Sequence, residues 1–339
     1  MRIALDAMGG DYAPGPIVQG ACEAVDALPG IEVVLVGDRD KIEAELGAPA
    51  GRHASLKVFH CTQSVGMEEK PTEALRRKRD SSVVRCWELM AAREVDAIVS
   101  AGNTGAVVAA GLRTKLFLKG VKRPGIAIVF PSLRGPCVLL DVGANPSCKP
   151  EHLYQYGVMG SIYAHHILGV ATPTIGLMNI GAEDIKGNEL VRETHALFEA
   201  SHLAGQYKGN VEGGDLHRGA SDVVVCDGFV GNVVLKVCEG VLEMLLKTTA
   251  QEVLGRLNGE RHLAQAAFND LAQRYDYSEF GGAPLLGIDG ICIICHGSSG
   301  SRAIRNALKV ATTFANRQLN TLIVEQLQKT SSQAAVADR

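Results

Sequence analysis

Short apolar runs recur along this chain, and each passes through a polar, glycine-rich turn into a helical stretch. Ile3-Ala4-Leu5 leads through Asp6-Ala7-Met8-Gly9-Gly10 into a helix near 17–27. The run 33–36 ends at Gly37-Asp38, and Ala97-Ile98-Val99 ends in Ser100-Ala101-Gly102-Asn103-Thr104-Gly105, with a helix to about 118. The run 137–140 ends in Asp141-Val142-Gly143-Ala144-Asn145, and 174–177 ends in Asn179-Ile180-Gly181-Ala182-Glu183. Val223-Val224-Val225 ends in Asp227-Gly228-Phe229, and 291–294 ends in His296-Gly297-Ser298-Ser299-Gly300 before a helix at 302–310. Strands alternating with helices predict an α/β fold, a mostly parallel sheet with helices on both faces. The units differ in sequence, so they are not solenoid repeats.

In such sheets ligands bind beyond the carboxyl ends of the strands. Each following helix start offers free backbone N–H groups and the positive end of a dipole, which suits an anion. The loops Gly102-Asn103-Thr104-Gly105 and His296-Gly297-Ser298-Ser299 are candidate phosphate cradles, although each also reads as an ordinary helix cap. A lone histidine before a glycine, such as His296, is more often a structural residue than a base. Several such loops on one edge of one sheet favour a binding basin over capping alone. Asp6, Asp141 and Asp227 follow apolar strands, with Asn103, Asn145, Asn179 and Asn232 nearby. They either scaffold loops through Asx turns or line an anion site. Lys186 and Lys236 are the cations nearest these loops. No HExxH, EF-hand or paired-histidine spacing is present, and neither a GxGxxG fingerprint nor a GxSxG elbow occurs.

The 339 residues, 46% hydrophobic and 21% charged, can bury a substantial core. The expected organisation is a single two-lobed catalytic unit over 1–328, with an apolar helical insertion at about 233–280 and a flexible tail at 329–339. A net charge of −3 with no basic tail argues against a nucleic-acid partner. The start lacks a signal-peptide pattern, and no apolar stretch reaches the ~20 residues that span a bilayer, so a cytoplasmic location is expected. Cys292 and Cys295 fall in a strand-like run where they face opposite sides, so they read as buried thiols. The helical stretch 233–274 is apolar on more than one side, which suits a dimer interface or a lipid surface. The basic run Arg76-Arg77-Lys78-Arg79 is either a solvated helix face or a contact for an acidic or phosphorylated partner.

Longer blocks carry a family resemblance. LDAMGGDYAP (5–14), EKPTEALRRKRDSS (69–82), SAGNTGA (100–106), LLDVGANP (139–146), NIGAEDIKGN (179–188), CDGFVGNVVLK (226–236) and SEFGGAPLLGIDGICIICHGSS (278–299) resemble the PlsX family of bacterial phosphate acyltransferases. The resemblance spans roughly 310 residues, from the first strand to the last helix; Gly300-Ser301-Arg302 fall where the family varies. It implies that fatty acyl-[acyl carrier protein] and inorganic phosphate give acyl phosphate and free carrier protein, in phospholipid synthesis. It also implies an isopropylmalate-dehydrogenase-like two-lobed fold, a homodimer, peripheral membrane contact and a downstream glycerol-3-phosphate acyltransferase, with no cofactor.

On that reading phosphate attacks the thioester directly, held by Gly102, Asn103, Thr104, Gly105, Gly297, Ser298 and Ser299, with Asp6, Asp141, Asn145, Asn179, Glu183, Asp227 and His296 around it. Asn232 would donate to the developing oxyanion, and Lys186 would offset phosphate charge or stabilise the departing thiolate. Cys226 and Cys295 are not expected as nucleophiles. Arg76, Arg77, Lys78, Arg79, Arg256, Arg261 and Arg274 would receive the acidic carrier, and the apolar face at 241–254 would admit the acyl chain or rest on lipid. A phosphate acetyltransferase acting on acyl-coenzyme A and a membrane-associated scaffold are the alternatives.

Overall fold

The first strand already shows which kind of sheet this is. In β1 (Arg2–Asp6), Ile3, Ala4 and Leu5 are all fully buried although they alternate faces, so both sides of the strand are covered. A computed structural model describes residues 1–47, 54–257, 259–275 and 281–337. After β1 come α1 (Gly15–Ala27), β2 (Glu32–Gly37), α2 (Arg39–Leu46), β3 (Leu56–His60), α3 (Pro71–Arg77) and α4 (Ser82–Ala91). Then follow β4 (Ala97–Ser100), α5 (Thr104–Thr114), β5 (Gly125–Ser132), β6 (Gly135–Leu140), α6 (Pro150–His166), β7 (Ile175–Met178) and α7 (Glu189–Glu199). The chain continues through β8 (Tyr207–Val211), α8 (Gly213–Arg218), β9 (Val223–Val225), α9 (Gly228–Arg256) and α10 (Arg261–Tyr275). It ends with β10 (Ala283–Leu286), β11 (Ile291–Ile294), α11 (Ser301–Asn316) and α12 (Leu319–Ala337).

The strands form one sheet of 11, in the order β3-β2-β1-β4-β11-β10-β5-β6-β9-β7-β8. One core layer, with Ile17, Tyr156 and Ile304, lies under α1, α6 and α11; the other, with Trp87, Val107 and Leu235, lies under α4, α5 and the start of α9. The mostly parallel, two-faced α/β sheet expected from the sequence is present.

The expectation that all the loops share one edge is not met. β3, β2, β1, β4 and β11 run parallel to one another. β10 reverses against β11 and β5, and β6 reverses against β5, so β6, β9, β7 and β8 run opposite to the first group. Register brings the two sets of carboxyl ends together all the same. Ile294, the last residue of β11, pairs with Ala283, the first of β10. Leu285 then pairs with Ile126, whose neighbour Ala127 pairs with Leu140, the last residue of β6. The short, staggered β10 therefore lets two oppositely directed half-sheets point their loops at a common centre.

Three local readings differ in detail. α5 stops at Thr114 rather than near 118, because Lys115 takes a left-handed conformation with φ 53°. The helical stretch at 233–274 is two helices, α9 and α10, and α9 begins earlier, at Gly228, where Asp227 caps it. α12 carries the backbone to Ala337, into the segment expected as a tail. Along α9, Phe229, Val233, Val237, Val241 and Leu245 form an exposed apolar stripe at every fourth residue. Among the described residues no helix is long and apolar enough to cross a membrane.

Candidate active site

The first half-sheet presents three loops locked to one another. Asp6 is buried and accepts from the Ser100 hydroxyl at 2.7 Å and from the Met8 N–H at 3.3 Å. Burial pushes its carboxyl up, against hydrogen bonds from Ser82 and Ser100 that pull it down. A Cβ on Gly9 would fall 2.6 Å from the Gly102 nitrogen, so glycine is needed for the β1 and β4 loops to meet. The Asp11 N–H donates to the Gly297 carbonyl at 2.8 Å, tying in the β11 loop. Asp6 is thus a joint between loops.

Asn103 illustrates a helix cap that also holds a neighbouring segment. Its side-chain oxygen accepts from the Ala106 N–H at 3.0 Å, and its amide nitrogen donates to the Met67 and Glu69 carbonyls at 2.9 and 3.0 Å. This anchors the segment that leads into α3, and Pro71 packs against Gly105. Thr104 and Gly105 remain exposed at the start of α5.

The second half-sheet is organised around Asp141. Its buried carboxylate accepts from the backbone N–H groups of Ile126, Gly143, Ala144 and Asn145 at 3.0, 3.0, 2.9 and 2.8 Å. Burial pushes this carboxyl up, while those donors oppose the shift. The Asn145 amide donates to Asp141, to the Pro124 carbonyl at 2.6 Å and to the Tyr156 hydroxyl at 2.9 Å. Asp227 accepts from Phe229 and Val230 at 2.9 and 3.0 Å and so starts α9. These three residues build the loop and aim α9.

Between the halves lies a cavity of about 290 Å³. Thr104, Gly105, Gly143, Asn232, Lys236, Cys295 and His296 line it, and Ile126, Ile128, Val142, Leu235, Ala283 and Ile294 supply the apolar wall. Asn232 is exposed on the first turns of α9 and makes no side-chain hydrogen bond to a described residue. Lys236, one turn on, donates to Glu239 Oε2 at 2.8 Å. His296 Nδ1 and the Ser298 hydroxyl lie 2.7 Å apart. An uncommitted amide, a cation, an imidazole and a helix N-terminus around one space can bind an anion and stabilise negative charge on a second reactant. Among the described residues no group of three His, Cys, Asp or Glu is placed to hold a metal ion.

Other candidates stand outside this lining. Asn179, Glu183 and Lys186 belong to the loop after β7. There the Asn179 amide donates to the Lys186 carbonyl at 3.1 Å, and Asn210 donates to the Glu183 carbonyl at 3.0 Å. Lys186 is exposed on that loop, flanked by the exposed Ile180 and Ile185. Gly297 is buried between Met67 and Asp11, and Ser299 is buried with no hydrogen bond from its hydroxyl to a described residue.

Of the basic run, Arg76, Arg77 and Arg79 are exposed, whereas Lys78 is half-buried and bonds to Glu69 and the Ser64 carbonyl. Arg256 pairs with Glu252 at 3.0 Å, Arg261 is exposed at the start of α10, and the Arg274 side chain lies outside the described residues. Cys226, Cys292 and Cys295 are buried, in keeping with structural thiols. The sequence reading passed over Ile126, Ile128, Leu235 and Gly143 as lining, and placed Lys236 among the nearby cations only. The spacing Asn232, Leu235, Lys236 was the available signal, since these positions share a helix face.

The family model described as fatty acid synthesis protein matches residues 1–322. The phosphate acyltransferase of Geobacter sulfurreducens is 44% identical over 330 residues, covering 97% of this chain and 94% of that protein. Among solved structures, a phosphotransacetylase from Streptococcus pyogenes superposes with a TM-score of 0.61 at 14% identity, over 94% of both chains. A 4-hydroxythreonine-4-phosphate dehydrogenase from Klebsiella pneumoniae gives 0.50 at 14% identity, over 93% of this chain and 97% of that one. At these identities the structural likeness speaks to the fold alone, and it is a fold of the type expected.

Proposed function

The chain belongs to the fatty acid synthesis protein family and is an acyltransferase, and on that premise we propose that it moves a fatty acyl group from acyl carrier protein to inorganic phosphate. The observation that carries this reading is the cavity itself, where Asn232, Lys236, His296 and the start of α5 surround one space with an apolar wall. Phosphate is largely ionised near neutral pH and needs positioning more than deprotonation. The start of α5 at Thr104 and Gly105, with the Lys236 ammonium, holds it as an anion.

A phosphate oxygen adds to the thioester carbonyl, and Asn232 donates to the oxygen that becomes negative. The intermediate collapses with cleavage of the carbon–sulfur bond, leaving acyl phosphate and the carrier thiol, which takes up the proton that phosphate carried. No acyl group is attached to the enzyme. Lys186 serves the departing thiolate, and from its present position it does so by closure of the 179–188 loop. The exposed Ile180 and Ile185 on that loop support such closure.

Arg76, Arg77 and Arg79 receive the acidic carrier beside the cavity, since α3 begins against Gly105. The exposed Phe229, Val233 and Met244 of α9 support a homodimer and peripheral lipid contact. The test is to incubate the protein with phosphate and either acyl carrier protein or coenzyme A loaded with the same fatty acyl group. Thiol release and hydroxylamine-trapped acyl phosphate are then measured. Phosphate-dependent release from the carrier substrate is expected; release from coenzyme A alone would move the assignment to the acetyltransferase type.

A further inference from the structure

We propose that a second, apolar cavity along the flank of α9 receives the fatty acyl chain while the thioester stays in the polar cavity; this deepens the acyltransfer reading and rests on it. The second cavity also measures about 290 Å³, close to the lower end of the ~300–1,000 Å³ usual for small-molecule sites. Phe130 and Pro131 of β5 form one side, and Leu242 and Leu245 of α9 form another. Ile128 and Leu235 line both cavities. The two spaces therefore share a wall and follow each other along the same strand and helix.

The order of residues along α9 matches the order of groups in the substrate. Asn232 and Lys236 face the polar cavity, Leu235 lies at the junction, and Leu242 and Leu245 lie beyond it. Asn232 to Leu245 spans about 20 Å of helix at ~1.5 Å per residue, so a chain lying along α9 passes from the reacting carbonyl into apolar surroundings. Of the polar groups bordering the second cavity, His217 Nε2 lies 3.5 Å from the Cys238 sulfur and Glu239 Oε2 accepts from Lys236 at 2.8 Å, while Glu239 Oε1 has no partner among the described residues; the rest of the lining is apolar. A methylene chain meets side chains of its own chemistry there, and water leaves apolar surface on both partners. Leu242 and Leu245, farthest from the carbonyl, set the chain length that fits.

The test uses the full-length protein and two variants, Leu242→Trp and Leu245→Trp. Transfer is assayed with carrier protein loaded with butanoyl or hexadecanoyl groups. Binding is read separately, by hexadecanoate or butanoate displacing a fluorescent long-chain fatty acid from the protein. The expected result is a fall of at least about tenfold in kcat/KM for hexadecanoyl carrier, since single methylenes in an apolar pocket already discriminate by about tenfold or more. The butanoyl value should stay within about twofold, and hexadecanoate should displace the probe from the unmodified protein but weakly or not at all from the variants. An equal loss for both chain lengths overturns the proposal, as does an unchanged chain-length profile accompanied by a change in oligomeric state. In the latter case a second copy of the chain fills the groove. Should the unmodified protein fail to transfer either acyl group to phosphate, the acyltransfer reading falls, while the displacement assay still decides whether the cavity holds a long chain.

Discussion

Gly231 lies directly under the carbonyl oxygen of Asp141, with the Cys226 sulfur beside it, so that a side chain at 231 has no room. This contact seats the first turn of α9 on the loop after β6. The N–H groups of Gly143, Ala144 and Asn145 hold that same loop to the Asp141 carboxylate. The position of Asn232, the next residue, follows from it.

Gly231→Ala is expected to push α9 off the Asp141 loop and carry Asn232 and Lys236 with it. A displacement of about 1 Å at a reacting group can cost about a hundredfold, and overpacking of this kind destabilises by about 1–3 kcal/mol. Steady-state rates and a thermal melt on the same sample check both effects. Full activity with an unchanged melting temperature would show that α9 is not seated by this contact.

Asn232→Ala isolates the amide from its scaffold. Because Asn232 is exposed and bonds to no described side chain, the melting temperature should not move. Removing one oxyanion donor usually costs about 10²–10³ in kcat, and the phosphate KM should change little, since the donor acts on the thioester oxygen. A loss confined to KM would assign Asn232 to phosphate binding instead.

The two lysines are expected to separate kinetically. Lys236 lines the cavity, so Lys236→Met should raise the phosphate KM by about 10–100-fold, the range of a charge-assisted hydrogen bond worth roughly 1.5–3 kcal/mol. It also leaves Glu239 Oε2 without its partner, and Glu239 Oε1 already has none among the described residues. The Lys236→Met, Glu239→Gln double variant therefore separates lost binding from a stranded carboxylate. Lys186→Met, on the loop after β7, should lower kcat with the phosphate KM nearly unchanged. Phosphate saturation curves for the three proteins decide, and the opposite pattern would exchange the two roles.

Burial pushes the Cys226 thiol well above its ordinary range and the Cys295 thiol up to about 12. Neither is a thiolate near neutral pH, so neither is poised to accept an acyl group. Cys295→Ala should keep transfer within a few-fold, and the native enzyme should resist iodoacetamide over many turnovers. An acyl group recovered on either cysteine by mass spectrometry after a quench would replace direct attack with a two-step route.

Strand ends were readable because Asp6, Asp141, Asp227 and His296 each follow an apolar run, and burial on both faces of a strand leaves such a continuous run in the chain. Which of these residues face substrate was not readable. Asn103, Asn145 and Asn232 are the same residue type, each a few residues beyond the end of a strand. One caps a helix, one is buried among Pro124, Asp141 and Tyr156, and one stands open in the cavity. That difference comes from tertiary neighbours distant in sequence. The reversal of the half-sheets was hidden for the same reason. It depends on β10, a strand of 4 residues whose partners Ile126 and Ile294 come from separate parts of the chain. Lys236 was visible as a cation, but its place in the cavity depends on where α9 begins, and Asp227 sets that.

The end of the molecule that carries the basic run 76–79 has its own acid sensitivity. Asp80 follows the basic run and ties β3 to α4: it accepts from the Thr62 hydroxyl at 2.6 Å, the Thr62 N–H at 2.8 Å and Arg85 Nε at 2.8 Å. The Thr62 hydroxyl, then Arg85, hold its carboxyl down at about 2, below the ordinary 3.8. A folded-state value below the unfolded one means that the contribution is complete above the unfolded value. It is lost as the pH falls from about 4 toward 2. The side chain is part-exposed, so screening keeps the effect modest. Asp80→Asn should therefore lower the urea midpoint at pH 6, and its gap from the unmodified protein should narrow as the pH falls through that window. A gap that stays constant would mean that Asp80 acts as a neutral hydrogen-bond acceptor, with its charge contributing nothing.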